Sequence, residues 1–284
     1  MNFGTLPMKR LLLITSSLVL VGSAQAADLA ARPYTKAPVA AAIPFSWTSC
    51  YVGGHVGGGW SKTNFTDPGI ASGSPGFPIT TTGAIPGDQI RVDGNAGVIG
   101  GVQAGCDYQF SNHWVVGLAG DFSGGDLHGT ANDPFFGGKN GNPATLSSRT
   151  DWLASVTGRV GYTWDRFMLY GKGGAGFARD TYSLNNFVST AGFDCRAAFV
   201  FTPCNAGTST DRVGWVAGAG AEWAFTPNWS VLVEYDHYGF DSKRVGFLNP
   251  AGPSTALIDI QQDIDIVKVG VNYRFGGLPV VAKY

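Results

Sequence analysis

Between Trp152 and Trp164 the chain alternates strictly. Trp152, Ala154, Val156, Gly158, Val160, Tyr162 and Trp164 share one side, and Leu153, Ser155, Thr157, Arg159, Gly161 and Thr163 share the other. A period of two marks a strand. Runs of this kind recur at residues 51–60, 96–110, 114–123, 152–164, 167–178, 213–225, 229–238 and 264–275. Three connections between them are short and polar: Ser111-Asn112-His113, Asp165-Arg166 and Thr226-Pro227-Asn228. Four are long, at 61–95, 124–151, 179–212 and 239–263, and rich in Gly, Pro, Asn, Asp, Ser and Thr. Short turns at one end and long loops at the other predict an all-β, eight-stranded, antiparallel up-and-down transmembrane barrel. Its four long loops are extracellular and its short turns periplasmic.

Which face meets which solvent follows from the charges. One face is nearly pure apolar; the other carries small residues and Asp107, Asp121, Arg159, Lys172, Glu222, Glu234, Asp236, Lys268 and Arg274. A soluble barrel would bury the apolar face and strand Lys268, Arg159 and Glu234 in it. Reversed, the apolar face meets lipid and the charges meet each other in the lumen. A lipid-facing Arg or Lys at the midplane would cost about 2–4 kcal/mol. Only Asp265 breaks this rule, at the loop end of its strand. Aromatic residues form two bands on the apolar face. Trp114, Tyr162, Trp164, Phe225, Trp229 and Tyr273 sit near the short turns, and Trp60, Phe122, Trp152, Phe177 and Trp215 near the long loops. Such bands mark membrane interfaces. Ten tilted strand residues between them rise about 25 Å, the height of the apolar band.

Composition agrees. Gly accounts for 42 of 284 residues and aromatics for 13%, which suits strand walls. Net charge is −1, with no basic stripe for nucleic acid. Lys9 and Arg10 precede an apolar stretch of about a dozen residues from Leu11 to Val21, too short to span. Ala24-Gln25-Ala26 follows as a cleavage site, so residues 1–26 read as an export signal cut between Ala26 and Ala27, with Met8 an alternative start. Residues 27–45 read as an Ala/Pro-rich periplasmic linker and 46–284 as the barrel. Export permits disulfides. Cys50 and Cys106 lie at the turn ends of adjacent strands with the same parity and are expected to pair; Cys195 and Cys204 would close a small surface loop. Neither pair has zinc spacing.

In a lumen of this size, side chains suffice to fill the space. The nine charges therefore read as a salt-bridge network plugging the interior, against two alternatives: an ion path, or a catalytic carboxylate pair such as Glu222 and Glu234. His55 faces inward, His113 lies in a turn, His128 in a loop and His237 at a strand end. No nucleophile elbow accompanies them, and Gly171-Lys172-Gly173-Gly174 lies within a strand rather than before a helix. No enzyme activity, cofactor or metal site is expected.

The export signal followed by Ala27-Asp28-Leu29, together with Cys50-Tyr51-Val52-Gly53-Gly54 and Gly97-Val98-Ile99-Gly100-Gly101, resembles the outer-membrane immunogenic protein family of alphaproteobacteria, porin-like relatives of OmpA/OmpX-type barrels. The last strand, with Lys268, Gly270, Tyr273 and Phe275, looks like the insertion signal read by the barrel-assembly machinery, although residues 276–284 follow it. The resemblance implies an outer-membrane location, surface exposure and antigenic loops. A structural surface protein is the expectation, with a narrow diffusion channel, or loops that capture haem or a host surface, as alternatives. The expected partners are outer-membrane lipids and the assembly machinery, with the barrel a monomer.

Overall fold

In a computed structural model, residues 45–68, 87–133, 144–187, 196–197, 200–201, 204–248 and 255–275 are described. The expected export segment, its cleavage at Ala26 and Ala27, nearly all of the linker and Cys195 lie outside them, as does the Cys204 side chain.

Among the described residues every regular element is a strand. In order the chain forms β1 (Ser49–Thr66), β2 (Gln89–Asp93), β3 (Gly97–Gln109), β4 (Trp114–Asp133), β5 (Ala144–Trp164) and β6 (Phe167–Phe187). There follow β7 (Arg196–Ala197), β8 (Val200–Phe201), β9 (Cys204–Ala224), β10 (Trp229–Leu248) and β11 (Thr255–Phe275). The sheet runs β11-β10-β9-β6-β5-β4-β3-β1-β2, and β11 pairs back onto β1. That pairing closes an eight-stranded barrel. β3 covers the lower part of β1, from Ser49↔Asp107 to Gly59↔Gly97. β2 continues along the same edge above it, from Lys62↔Asp93 to Thr66↔Gln89. Among the described residues, β7 and β8 pair only with each other.

The turns are as tight as their sequences imply. Trp164 pairs with Phe167 across Asp165-Arg166, and Asp165 takes a positive φ of 53°, as hairpin twist demands. His113 does the same at φ 70°. Cys50 lies directly opposite Cys106 and the two are disulfide-bonded on the outer face. Inside, tyrosines lie over glycines of the adjacent strand. A Cβ at Gly105 would meet the Tyr51 hydroxyl at 2.5 Å, and one at Gly220 would meet that of Tyr170 at 2.6 Å.

The four expected long loops need correction. Much of each is strand. β4, β5, β6, β9, β10 and β11 run for 20–21 residues, well beyond the outer aromatic band. Within these four connections, residues 69–86, 134–143, 188–195, 198–199, 202–203 and 249–254 lie outside the described residues. The reason is that alternation continues with its polarity reversed. β6 faces Leu169, Ala175 and Phe177 outward, then Arg179, Thr181 and Ser183. Its inward residues change from Lys172 to Tyr182 and Leu184. Above the membrane the outside is water, so the same wall buries apolar groups within. Phe65, Ile90, Val92, Leu146, Leu184, Phe247, Ile258 and Ile260 pack there as one core. Residues 179–187 would rise about 20 Å above the membrane.

Phe247 is fully buried in this upper core. Phe247→Ala is expected to cost about 3–5 kcal/mol in urea unfolding of the refolded protein. A mobile loop at this position would give no change.

Candidate functional site

The lumen is the site, and it is built in layers from the periplasmic end. At the bottom, the segment before β1 turns into the barrel. Trp47 is fully buried there, against Val115, Met168 and Ala224. Its backbone N–H donates to Gln109 Oε1 at 2.8 Å and its indole N–H to the Asp165 carbonyl at 3.0 Å. The Arg274 guanidinium lies 4.7 Å from its ring centre and donates to its carbonyl at 3.0 Å.

Two charge clusters follow. In the lower, Arg159 forks onto Asp107 and donates to Glu222 at 3.2 Å. Arg274 bridges the same acids, at 2.5 Å to Asp107 and 2.9 Å to Glu222. Ser230 and Asn272 also donate to Glu222, at 2.6 and 3.0 Å. The Tyr51 ring stacks beneath both guanidinium groups. Two cations thus face two acids, all four buried.

In the upper cluster Lys172 and Lys268 each contact Asp121, Glu234 and Asp236. Lys172 is 2.7 Å from Glu234 and 3.0 Å from Asp236; Lys268 is 2.9 Å from each. Ser155 and Tyr170 donate to Asp121 and Glu234, both at 2.6 Å. These three acids converge closely enough to suit a metal ion. Two ammonium groups already supply the positive charge between them. His55 stands beside this cluster on neutral partners, Gln103 at 3.0 Å and Ser123 at 2.8 Å. The void between the clusters, lined by Tyr51, Asp121, Arg159, Lys172 and Glu234 among others, measures about 20 Å³. That holds about one water.

Above lies an apolar layer with Ile99, Leu127, Leu153, Val216, Phe240 and Ile266. A third polar layer sits just above the outer aromatic band. Thr150 donates to Asp180 at 2.6 Å, and Arg212 donates to the Tyr182 hydroxyl at 2.9 Å. Arg212 also caps the carbonyls of Asp241 and Ile260, at 2.6 and 2.8 Å, where β10 bulges between Phe240 and Lys243. Burial pushes the Asp180 carboxyl above its ordinary value of 3.8, against the hydrogen bond from Thr150 and the charge of Arg212.

All nine charges singled out in the sequence face the lumen, and the structure divides them into the two clusters. Glu222 and Glu234 fall in different clusters, each bound to its own cations. Lys268 and Gly270 of the last strand face inward, Tyr273 and Phe275 outward. His128 lies on β4 rather than in a loop, beside Asp126. Asp265, the exception on the outer face, accepts from Tyr235 at 2.6 Å and lies 2.7 Å from His237. Trp47, Asp180 and Arg212 were not foreseen. Trp47 precedes the first periodic residue, and the other two sit in stretches that read as loop.

A sequence model of the outer membrane protein beta-barrel domain matches residues 14–275. A 31 kDa outer-membrane immunogenic protein of Brucella melitensis is 29% identical over 273 residues, covering 94% of this chain and 100% of that protein. A 25 kDa outer-membrane immunogenic protein of Brucella canis is 27% identical over 270 residues, covering 94% and 99%. The outer membrane protease OmpT of Escherichia coli superposes with a TM-score of 0.48 at 10% identity, over 82% of this chain and 99% of that one.

Removing one partner of a buried pair strands the other. Arg159→Met is expected to cost about 3–5 kcal/mol in urea unfolding, and adding Asp107→Asn to recover part of that loss. The raised Asp180 value sets a pH trend. A carboxyl that binds its proton more tightly when folded loses stability as pH rises through that value. Relative to Asp180→Asn, the wild type should therefore weaken from pH 3 to pH 7. Parallel curves for the two proteins would refute the assignment.

Proposed function

The chain belongs to the outer membrane protein β-barrel domain family, and from that premise we propose that it is a sealed membrane anchor carrying a folded surface extension, rather than a diffusion channel. It is a surface protein of the outer membrane, a reading supported by its Brucella relatives, which are named outer-membrane immunogenic proteins. The observation that carries the sealed reading is the void of about 20 Å³ between the charge clusters. A conducting path would have to separate ion pairs at both heights, move Trp47 below and cross an apolar core above. Each carboxylate of the two charge clusters is committed to a cation, so the reading assigns no catalysis to them.

Its partners on this reading are outer-membrane lipids and, during insertion, the assembly machinery acting on the last strand. Closure of β11 on β1 leaves the barrel without a free edge there, which favours a monomer.

Planar-bilayer recording of the refolded protein tests the proposal. The expected result is silence, both for the wild type and for Trp47→Ala, since the two clusters remain. Steady conductance in the wild type that disappears in Lys172→Met/Glu234→Gln would establish a channel through the lumen.

A further inference from the structure

The outer wall is not uniform around its circumference. On β1, β3, β4 and β5 small residues face lipid: Gly54, Ala104, Gly120 and Ala154. Ala104 lies directly opposite Gly120, and Ala154 opposite Phe122. With Val52, Val102, Val156 and Val271 as flanks, and Trp229 and Tyr273 of the inner aromatic band at its lower end, they form an open apolar valley of about 970 Å³, whose upper end on β4 and β5 lies at Phe122 and Ala154. A single acyl chain is the natural occupant of such a shape.

The same strands change character above the valley. His128 pairs across to Arg149, and Arg149 to Thr181. One step higher stand Thr130, Ser147 and Ser183. A second, polar hollow of about 450 Å³ lies on this face. Its cations are loosely held. Arg149 makes one contact to Asp151 at 3.3 Å, and the neighbouring Arg179 one to Asp211 at 3.8 Å. On the upper parts of β10 and β11, by contrast, Arg244 is forked onto Asp259 with both contacts at 2.8 Å. The guanidinium groups over the valley therefore keep donors free for a phosphate, which they match in geometry.

From this we infer that the β1–β6 wall binds the phosphorylated glycolipid of the outer leaflet. An acyl chain lies in the valley, phosphate meets Arg149 and Arg179, and sugar hydroxyls meet the Thr130, Ser147 and Ser183 face. The apolar, cationic and hydroxyl surfaces stack in the order in which such a lipid presents its parts. A phospholipid would use the first two and leave the third. The inference rests on where the membrane lies, not on whether the lumen conducts.

The test is the urea unfolding rate of the full chain in four settings. These are phosphatidylcholine vesicles alone, with lipopolysaccharide, with phosphatidylglycerol, or with soluble heparin. Lipopolysaccharide should slow unfolding about tenfold, and the other additions much less. Arg149→Glu/Arg179→Glu and, separately, Ala154→Phe should lose most of that slowing, each compared with itself in phosphatidylcholine alone. Equal slowing by phosphatidylglycerol would reduce the effect to charge, and equal slowing by heparin would make the face a polyanion site. Either result, or full slowing in both variants, overturns the inference.

Discussion

No water is available inside a bilayer to bond an exposed backbone amide, so the chain must satisfy every amide with its own strands. The ladder between β1 and β11, from Cys50↔Phe275 to Thr66↔Asp259, completes that requirement. The rest follows from it. Eight strands fix a circumference whose interior is about one layer of side chains deep. Residues that must turn away from lipid are driven into that narrow space together. Once there, charges have no solvent and must neutralise one another. The pairing of Arg159 and Arg274 with Asp107 and Glu222 is thus a consequence of closure as much as a source of stability.

The same wall passes through two solvents. Below the outer aromatic band it is apolar outside and polar within; above it the order is reversed. β11 shows the change on one strand. Val267, Val269 and Val271 face out beneath Asp259, Gln261 and Asp263, while Ile258 and Ile260 face in above Lys268 and Asn272. β5 and β10 make the change with irregularities, between Thr150 and Trp152 and between Phe240 and Lys243. There one extra residue re-aims the strand. Asp265 lies at the crossing height, which explains a carboxylate on the lipid side sheltered by Tyr235 and His237.

The transmembrane half was legible because only one polarity rule operates there. Parity alone put Lys172 and Glu234 inside and Trp215 outside. The upper half was not, because a strand whose outward residues are Thr181, Ser183 and Asn185 has the composition of a loop. Its inward partners, Tyr182 and Leu184, carried the missing signal. They keep the parity of Lys172 and needed only the sign to be inverted. Where a bulge shifts parity, as before Trp152, no single periodicity spans the strand. Trp47 had no periodic context at all; its position depends on Arg274, which is distant in sequence.

That last contact bears on how the barrel avoids errors as it seals. The seam joins the first strand to the last, and a slip of one residue there would turn Lys268, Asn272 and Arg274 toward lipid. In the native register Arg274 reaches Ser49 on the first strand, Trp47 just before it, and Glu222 on β9. One guanidinium thus checks two separate parts of the chain, the entry to the first strand and β9, at the moment they meet the last strand. A mis-sealed barrel would lose all three contacts together, so proofreading of the seam is built into the residue that finishes it.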